Sequence, residues 1–545
     1  MDNAVIHETS PKIRPELKGL FFPSGPVFDG AAVILALVSF GMSWVETLVN
    51  QDSHHWGFMY SQALDLNRGL VPYKDVLIAY GVLTSRIQGF FLTVMGERLV
   101  SIGAATGLFY STTLLLSYAV FRKFLTKPFA LFSVLLVFLV HPYVIYPWSN
   151  YYAYPFELAA LLVLLGGFRS SVGGFFSGVL VGLAVLCRFS AAVSLVPPFV
   201  LFFAVDYAVR REQRNEILTT ALFWSAGLFL PLAVFWGFLA HHRAVGEFLR
   251  QNSVMSREWR EMGSFRLFLR FCWNVLSART LPVRDVRSWL FYAVFIGNLV
   301  TVFHFLKKRG SVKDGSSGEG SLLLFSLAAV FGFMNSIHIY EVFRLVNGAS
   351  LGIGVLVWVV FSAYPGFGKR GKWLAWWSSI AVVCLLAGNL VFARNSSTFT
   401  PWTWEKMTGS GTARIQTGVF RGKRVSRAYR EFYGDIATRL SAVDRSCPIV
   451  NVTADPLPVL LCDLPRLQRT PLYVHQMERP ERLDEVRRLI GLRRVVLAGY
   501  FPLEVPGYRL LYGAPWPEDV PWFDDEGLAL FISVPEWALP PEPPS

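Results

Sequence analysis

Runs of about twenty apolar residues, recurring along the chain, constrain it more than any other feature. A bilayer core about 30 Å thick is crossed by roughly 20 residues of helix, and only a helix or a closed barrel satisfies its own backbone there. Such runs lie at 27–49, 99–121, 128–148, 152–168, 173–187, 189–209, 217–240, 286–306, 321–340, 345–364 and 372–393. They predict a polytopic α-helical membrane protein with about eleven transmembrane helices. The first run follows a polar lead holding Lys12, Arg14 and Lys18, so it reads as an anchor and not as a cleaved signal peptide. Composition agrees: 16% of the 545 residues are charged, against about 25% in soluble proteins. That excludes an ordinary cytosolic enzyme. The net charge of +13 is assigned to cytoplasmic loops, so no nucleic-acid partner is expected.

Orientation follows from the basic loops. With the N-terminal segment 1–26 inside, Arg122/Lys123/Lys127, Arg169, Arg210/Arg211/Arg214, Lys307/Lys308/Arg309 and Lys369/Arg370/Lys372 all fall on the cytoplasmic side. Counting Val76–Gly96 as a further crossing would move them all outside, so that stretch reads as a helix lying in the outer interface after a turn at Gly69 and Pro72. The basic loop 241–285 runs against this scheme and has a use for positive charge if it meets anionic lipid. Residues 27–393 then form the membrane domain, and 394–545 an extracytoplasmic α/β domain. The latter reads as helix 426–443, strand 448–452, helix 482–490, strand 494–498, and late strands at 508–512 and 529–534. Cys447 and Cys462 could form a disulfide there, and Asn395 and Asn451 head sequons. No Gly-rich phosphate loop follows any of its strands.

Chemistry concentrates at the outer ends of spans, where an ionisable group needs water, a partner or a ligand. The first loop opens Gln51-Asp52-Ser53-His54-His55-Trp56, continues through an amphipathic stretch 57–67, and reaches Gly69-Leu70-Val71-Pro72-Tyr73-Lys74-Asp75. The second outer loop, Pro142–Glu157, holds five Tyr and a Trp but no Lys or Arg, which suits sugar rings or an interfacial aromatic belt. Glu157 stands at the end of a span. His338, Glu341 and Arg344 are spaced for neighbouring contacts on a helix, and a guanidinium such as Arg344 can grip a phosphate bidentately. Arg188, between two spans on the outer side, would join the basic loop 241–285 if that loop meets lipid phosphate.

An acid directly after the first span, a helix, the G-x-x-P-Y-K-D turn and a second interfacial helix together resemble the GT-C class of membrane glycosyltransferases. That class includes the protein O-mannosyltransferases and the lipid A aminoarabinose transferases. The likeness covers 27–210 in order of elements. It implies a polyprenyl-phosphate sugar as donor, a membrane-lipid setting such as a bacterial inner membrane, and an active site on the outer face. Asp52 would be the base that takes the acceptor hydroxyl's proton. Lys74, Arg188, Arg344 and His338 would meet donor phosphate, with Asp75, Glu157 and Glu341 as secondary acids. His54 and His55 depart from the commoner pattern of the class and would contact the donor headgroup. No cofactor is required, and a divalent metal stays open, although adjacent histidines diverge on a helix.

The acceptor, whether glycan, lipid or protein, is not legible. Two other readings compete: a transporter or flippase for lipid-linked saccharide, which should show broken helices and polar groups at mid-membrane, and a polysaccharide polymerase or ligase using the basic loop.

Overall fold

The computed structural model describes residues 26–540 apart from 79, 166–170, 190, 262–285, 310–316, 337–341, 364–367, 393–411, 417, 468–479, 519 and 521–527. Each predicted apolar run contains helix among the described residues, but the helices differ in length. Six helices among the described residues are long and apolar enough to cross a membrane: Val27–Val49 (α1), Leu99–Phe121 (α4), Ala191–Val209 (α8), Arg211–His241, Trp289–Lys307 and Trp373–Leu390. Val342–Ala349 and Leu351–Ser362 make a seventh only if taken as one span, bent by 67°. Large apolar side chains such as Ile34, Leu37, Phe229, Val234 and Trp373 are exposed on these helices. Apolar surface of that extent fits a lipid-facing belt.

Eleven full-length spans are not found among the described residues. Lys127–Val140 (α5) has 14 residues, Asn150–Leu165 (α6) 16, and Ser171–Cys187 (α7) 17. At 1.5 Å per residue these fall short of a 30 Å core. For α5 the cause is local. His141 leaves the helix with φ −151° and ψ 89°, and the Pro-containing segment 141–149 turns back into the protein. There Ser39 Oγ donates to the Pro142 carbonyl (2.7 Å), Val144 N–H donates to Ser43 Oγ (3.1 Å), and Gln88 Nε2 donates to the Pro147 carbonyl (2.8 Å). These bonds satisfy a non-helical backbone that lipid would not tolerate. The second loop is thus no interfacial belt: Tyr143, Trp148, Tyr151, Tyr152 and Tyr154 are all buried.

Short α7 compensates by close packing. A Cβ at Gly178 would stand 1.9 Å from the Trp224 carbonyl oxygen, and Gly174 and Gly182 approach the same helix. In lipid, small residues at four-residue spacing let helix backbones touch where apolar burial gives little drive.

The first loop carries two helices, Ser53–Asn67 (α2) and Val82–Met95 (α3). At 14 residues α3 is too short to span, in keeping with an interfacial helix. The amphipathic reading of α2 fails, because almost all of it is buried. Its cover is the C-terminal domain. Strands Ile449–Asn451 (β3), Val496–Gly499 (β4), Ala529–Pro535 (β6) and Tyr508–Pro515 (β5) form one sheet in the order β3-β4-β6-β5, parallel only between β3 and β4. Helices Arg427–Leu440 and Pro480–Gly491 match the predicted elements. A hairpin of Thr412–Arg414 (β1) and Arg424–Ser426 (β2) was not foreseen.

Several contacts dock this domain on the membrane part. Leu99 N–H donates to the Val419 carbonyl (3.0 Å), Ser426 N–H donates to Gln51 Oε1 (2.9 Å), and Arg466 pairs with buried Asp65 of α2. Cys447 and Cys462 are free thiols, so the disulfide is not formed. Asn451 is buried and its side chain donates to the Asp455 carbonyl (2.7 Å), which closes that sequon in the folded chain. Asn395 lies outside the described residues. At the opposite end of α1, Asp29 accepts from Lys127 Nζ (2.5 Å) and Tyr118 OH (2.6 Å). The Arg122–Lys127 basic loop and Asp52 therefore occupy opposite ends of the helices.

Candidate functional site at the end of the first span

The site is built from the turn between α1 and α2. Asn50 ends α1 in extended backbone, and its Nδ2 donates to Glu46 Oε1 (2.8 Å) and to the Ile145 carbonyl (3.3 Å). Its Oδ1 accepts the Asp52 N–H (2.8 Å). Asp52 then caps α2. Oδ1 accepts the His55 N–H (2.9 Å) and Oδ2 accepts His55 Nδ1–H (2.6 Å). A carboxylate suits a helix N-terminus, where unpaired N–H groups carry partial positive charge. Burial pushes the Asp52 carboxyl up, but the charge and hydrogen bond of His55 and the charge of His54 outweigh it, leaving it below the ordinary range. Asp52 is 2% exposed. It is an ionised, enclosed carboxylate held by an imidazole.

The two histidines take different partners, although their rings stay edge-on at 4.8 Å between centroids. His54 Nδ1 donates to the Ala454 carbonyl of the C-terminal domain (2.7 Å), and burial followed by the charge of His55 pushes its pKa down. His55 turns the other way, stacked on Tyr146 (4.2 Å between centroids) and edge-on to Trp148 (4.8 Å). These rings begin a wall. Trp148 meets Tyr80 (4.5 Å), and Arg188 lies over Tyr80 at 5.5 Å while donating to Ser149 Oγ (3.2 Å). Tyr146 meets Phe343 (5.9 Å), and Arg344 lies over Phe343 at 5.3 Å. Both guanidiniums are buried. Asp52, His55, Arg188 and Arg344 are thus joined through one aromatic surface, although they come from three parts of the sequence.

Glu157 sits deeper. With Asn150, Tyr154, Asn335 and Asn347 it lines a small cavity that Arg188 also borders. Glu157 Oε1, Asn347 Oδ1 and both side-chain polar atoms of Asn150 have no hydrogen-bond partner among the described residues. Groups so placed need water or a ligand.

Lys74 and Asp75 are not drawn in. Asp75 Oδ2 accepts the Val71 N–H (2.9 Å) and closes its own turn, while Tyr73, at φ 67°, packs against Phe248 (4.9 Å). Lys74 is exposed and forms no ion pair among the described residues. The basic loop begins on this face, since Gln251 Nε2 donates to the Tyr73 carbonyl (2.6 Å). His338 and Glu341 lie outside the described residues, as do 262–285. Among the described residues no group of three or more His, Cys, Asp and Glu side chains comes together around one metal position.

Lys423 is the residue that sequence reasoning missed. It descends from the β1–β2 hairpin into the elbow between α1 and α2, with Nζ 3.3 Å from the Thr47 carbonyl and 4.8 Å from the centre of the Trp56 ring. Nothing in a lone lysine 376 positions from its partner signals this.

Fold and site together define a polytopic helical membrane protein with an enclosed acid–imidazole pair and buried guanidiniums at one membrane face, roofed by an α/β domain. No protein-family model and no curated protein matches the chain. Among solved structures it is similar to ArnT from Cupriavidus metallidurans in the apo state, at 11% identity and a TM-score of 0.41 over 94% of this chain and 99% of that one. It is also similar to the same protein bound to undecaprenyl phosphate, at 11% identity and a TM-score of 0.40 over 95% and 99% of the two chains. Likeness at this level carries no argument about chemistry.

Proposed function

We propose that the protein is a membrane glycosyltransferase that moves a sugar from a polyprenyl-phosphate carrier to an acceptor on the non-cytoplasmic face, with the C-terminal domain on that same face. One observation supports this above the rest: the Asp52–His55 pair shares an aromatic wall with Arg188 and Arg344 at the membrane boundary. In the reaction the acceptor oxygen bonds to the anomeric carbon as the bond from that carbon to the phosphate oxygen breaks. The leaving polyprenyl phosphate takes the electron pair, and the hydroxyl proton passes to the Asp52–His55 pair. Buried guanidiniums stabilise the departing phosphate more than exposed ones would, because little water screens them. Lys74, being exposed, would meet the carrier's headgroup on entry. Stacked aromatic rings suit the apolar faces of a pyranose.

Two measurements decide. Full-length protein in nanodiscs, given undecaprenyl-phosphate hexose and a membrane extract as acceptor, should release undecaprenyl phosphate, and Asp52→Asn should stop release while binding of undecaprenyl phosphate persists. A fully active Asp52→Asn protein refutes the assignment. Reporter fusions near residues 75 and 450 should both report the non-cytoplasmic side.

Flipping of a lipid-linked saccharide is favoured by one observation of its own, the bent pair Val342–Ala349 and Leu351–Ser362 beside the cavity at Glu157. Broken helices facing polar cavities are a transporter device. Proteoliposomes that translocate the glycolipid without cleaving it would establish that reading.

A further inference from the structure

We propose that Lys423 is the counter-cation of the Asp52 site, a positioning residue that makes the C-terminal domain an integral part of the reacting unit. The inference rests on the glycosyltransferase reading and deepens it.

The geometry is that of an inserted plug. Gly418 and Gly422 take φ values of 65° and 96°, conformations that glycine adopts without strain, and they fold the hairpin tip tightly. Gly422 lies against Val100, and Leu99 N–H donates to the Val419 carbonyl, so the tip is fixed on α4. From there Lys423 reaches inward and is 1% exposed. The charged groups that act on it are Glu46 from α1 and Asp52 at the cap of α2. Its own hairpin adds Arg414, Arg421 and Arg424, all exposed.

Its direct contacts are weak for an enclosed ammonium. Among the described residues a single long hydrogen bond, to the Thr47 carbonyl, uses one of three N–H donors, and the Trp56 face adds a cation–π contact. Burial pushes its pKa down to about 7 despite the charges of Glu46 and Asp52, which pull it up. An enclosed cation held this loosely is a poor structural device, since well-packed apolar replacements of buried charges are often neutral or stabilising. Its use is electrostatic. It balances two carboxylates beside the point where a phosphate gathers charge and a proton arrives.

Lys423→Met and Lys423→Arg in the full-length protein provide the test, with thermal unfolding and release of undecaprenyl phosphate from undecaprenyl-phosphate hexose as readouts. Lys423→Met should unfold at the same or a higher temperature than the parent, yet turn over at least tenfold more slowly with little change in KM for the donor. In the parent, turnover should fall as pH rises through about 7, where Lys423 loses its proton. Lys423→Arg should keep its turnover above that pH, because a guanidinium stays charged. A less stable Lys423→Met protein makes the residue a structural plug and overturns the proposal. So does a stable Lys423→Met protein with parental turnover. A parent that releases no undecaprenyl phosphate refutes the glycosyltransferase reading itself, and this inference falls with it.

Discussion

Replacing Asp52 separates its structural duty from its chemical one. Its side chain does two things for the fold: it accepts the His55 N–H as the cap of α2, and it accepts His55 Nδ1–H. Alanine removes both. Loss of an N-cap costs about 1 kcal/mol, and an imidazole N–H left buried without an acceptor costs about 1–3 kcal/mol. The sum for Asp52→Ala is about 2–4 kcal/mol. Asparagine caps a helix as well as aspartate does, so Asp52→Asn gives up mainly the charge assistance to His55, about 1 kcal/mol. Thermal or denaturant unfolding in nanodiscs should therefore rank the parent first, Asp52→Asn slightly below and Asp52→Ala well below. Donor turnover should rank them differently, with both variants inactive. An Asp52→Ala protein as stable as the parent would refute the cap and the imidazole tie together. An Asp52→Ala loss far above 4 kcal/mol would mean that more than these two bonds hold the elbow.

Three further outcomes follow from the packing. Gly178→Ala should lower the unfolding temperature sharply, because the new Cβ meets backbone of the neighbouring helix at 1.9 Å and no side chain can swing away; Gly237→Ala, with open space around it, serves as the control. Arg466→Met should cost about 3–5 kcal/mol at neutral pH by leaving Asp65 buried and unpaired. Burial holds the Asp65 carboxyl above its ordinary value even with Arg466 beside it. The folded state therefore takes up that proton before the unfolded state does, and the deficit should shrink as pH falls toward 5. Unfolding curves at pH 7 and 5 check this. Finally, thiol labelling under denaturing, non-reducing conditions should find both Cys447 and Cys462 reactive, as free cysteines are.

The apolar runs were legible because a span must be apolar along its whole length, whatever it packs against. What they did not reveal is where a run stops being helix. Residues 128–148 are hydrophobic throughout, yet the chain leaves the helix at His141, because hydroxyls of α1 and Gln88 of α3 are placed to receive a folded-back segment. Asp52 could be found from its position after the first span and from a resemblance. His55 could not be separated from His54 in the sequence, because only the tertiary fold sends one ring to Asp52 and the other to Ala454. Lys74 looked as promising as Arg188, and the difference is one of burial: Lys74 stays in solvent while Arg188 is enclosed. In the C-terminal domain the strands were readable from β-branched runs. The hairpin carrying Lys423 was not, since β1 and β2 have three residues each and four of the six are Thr, Arg or Ser.

The distance along the chain between Thr47 and Lys423 sets an order of events during synthesis. The turn that holds Asp52 leaves the ribosome early, and its partner follows 376 residues later. At about 5–20 residues per second that interval is roughly 20–75 s. Throughout it the acid and its imidazole stand unroofed while helices insert around them. If Lys423 completes the site as proposed, a nascent protein is chemically dormant until the C-terminal domain folds back onto the first loop, and a chain interrupted before that hairpin would be an inserted membrane protein without a working centre.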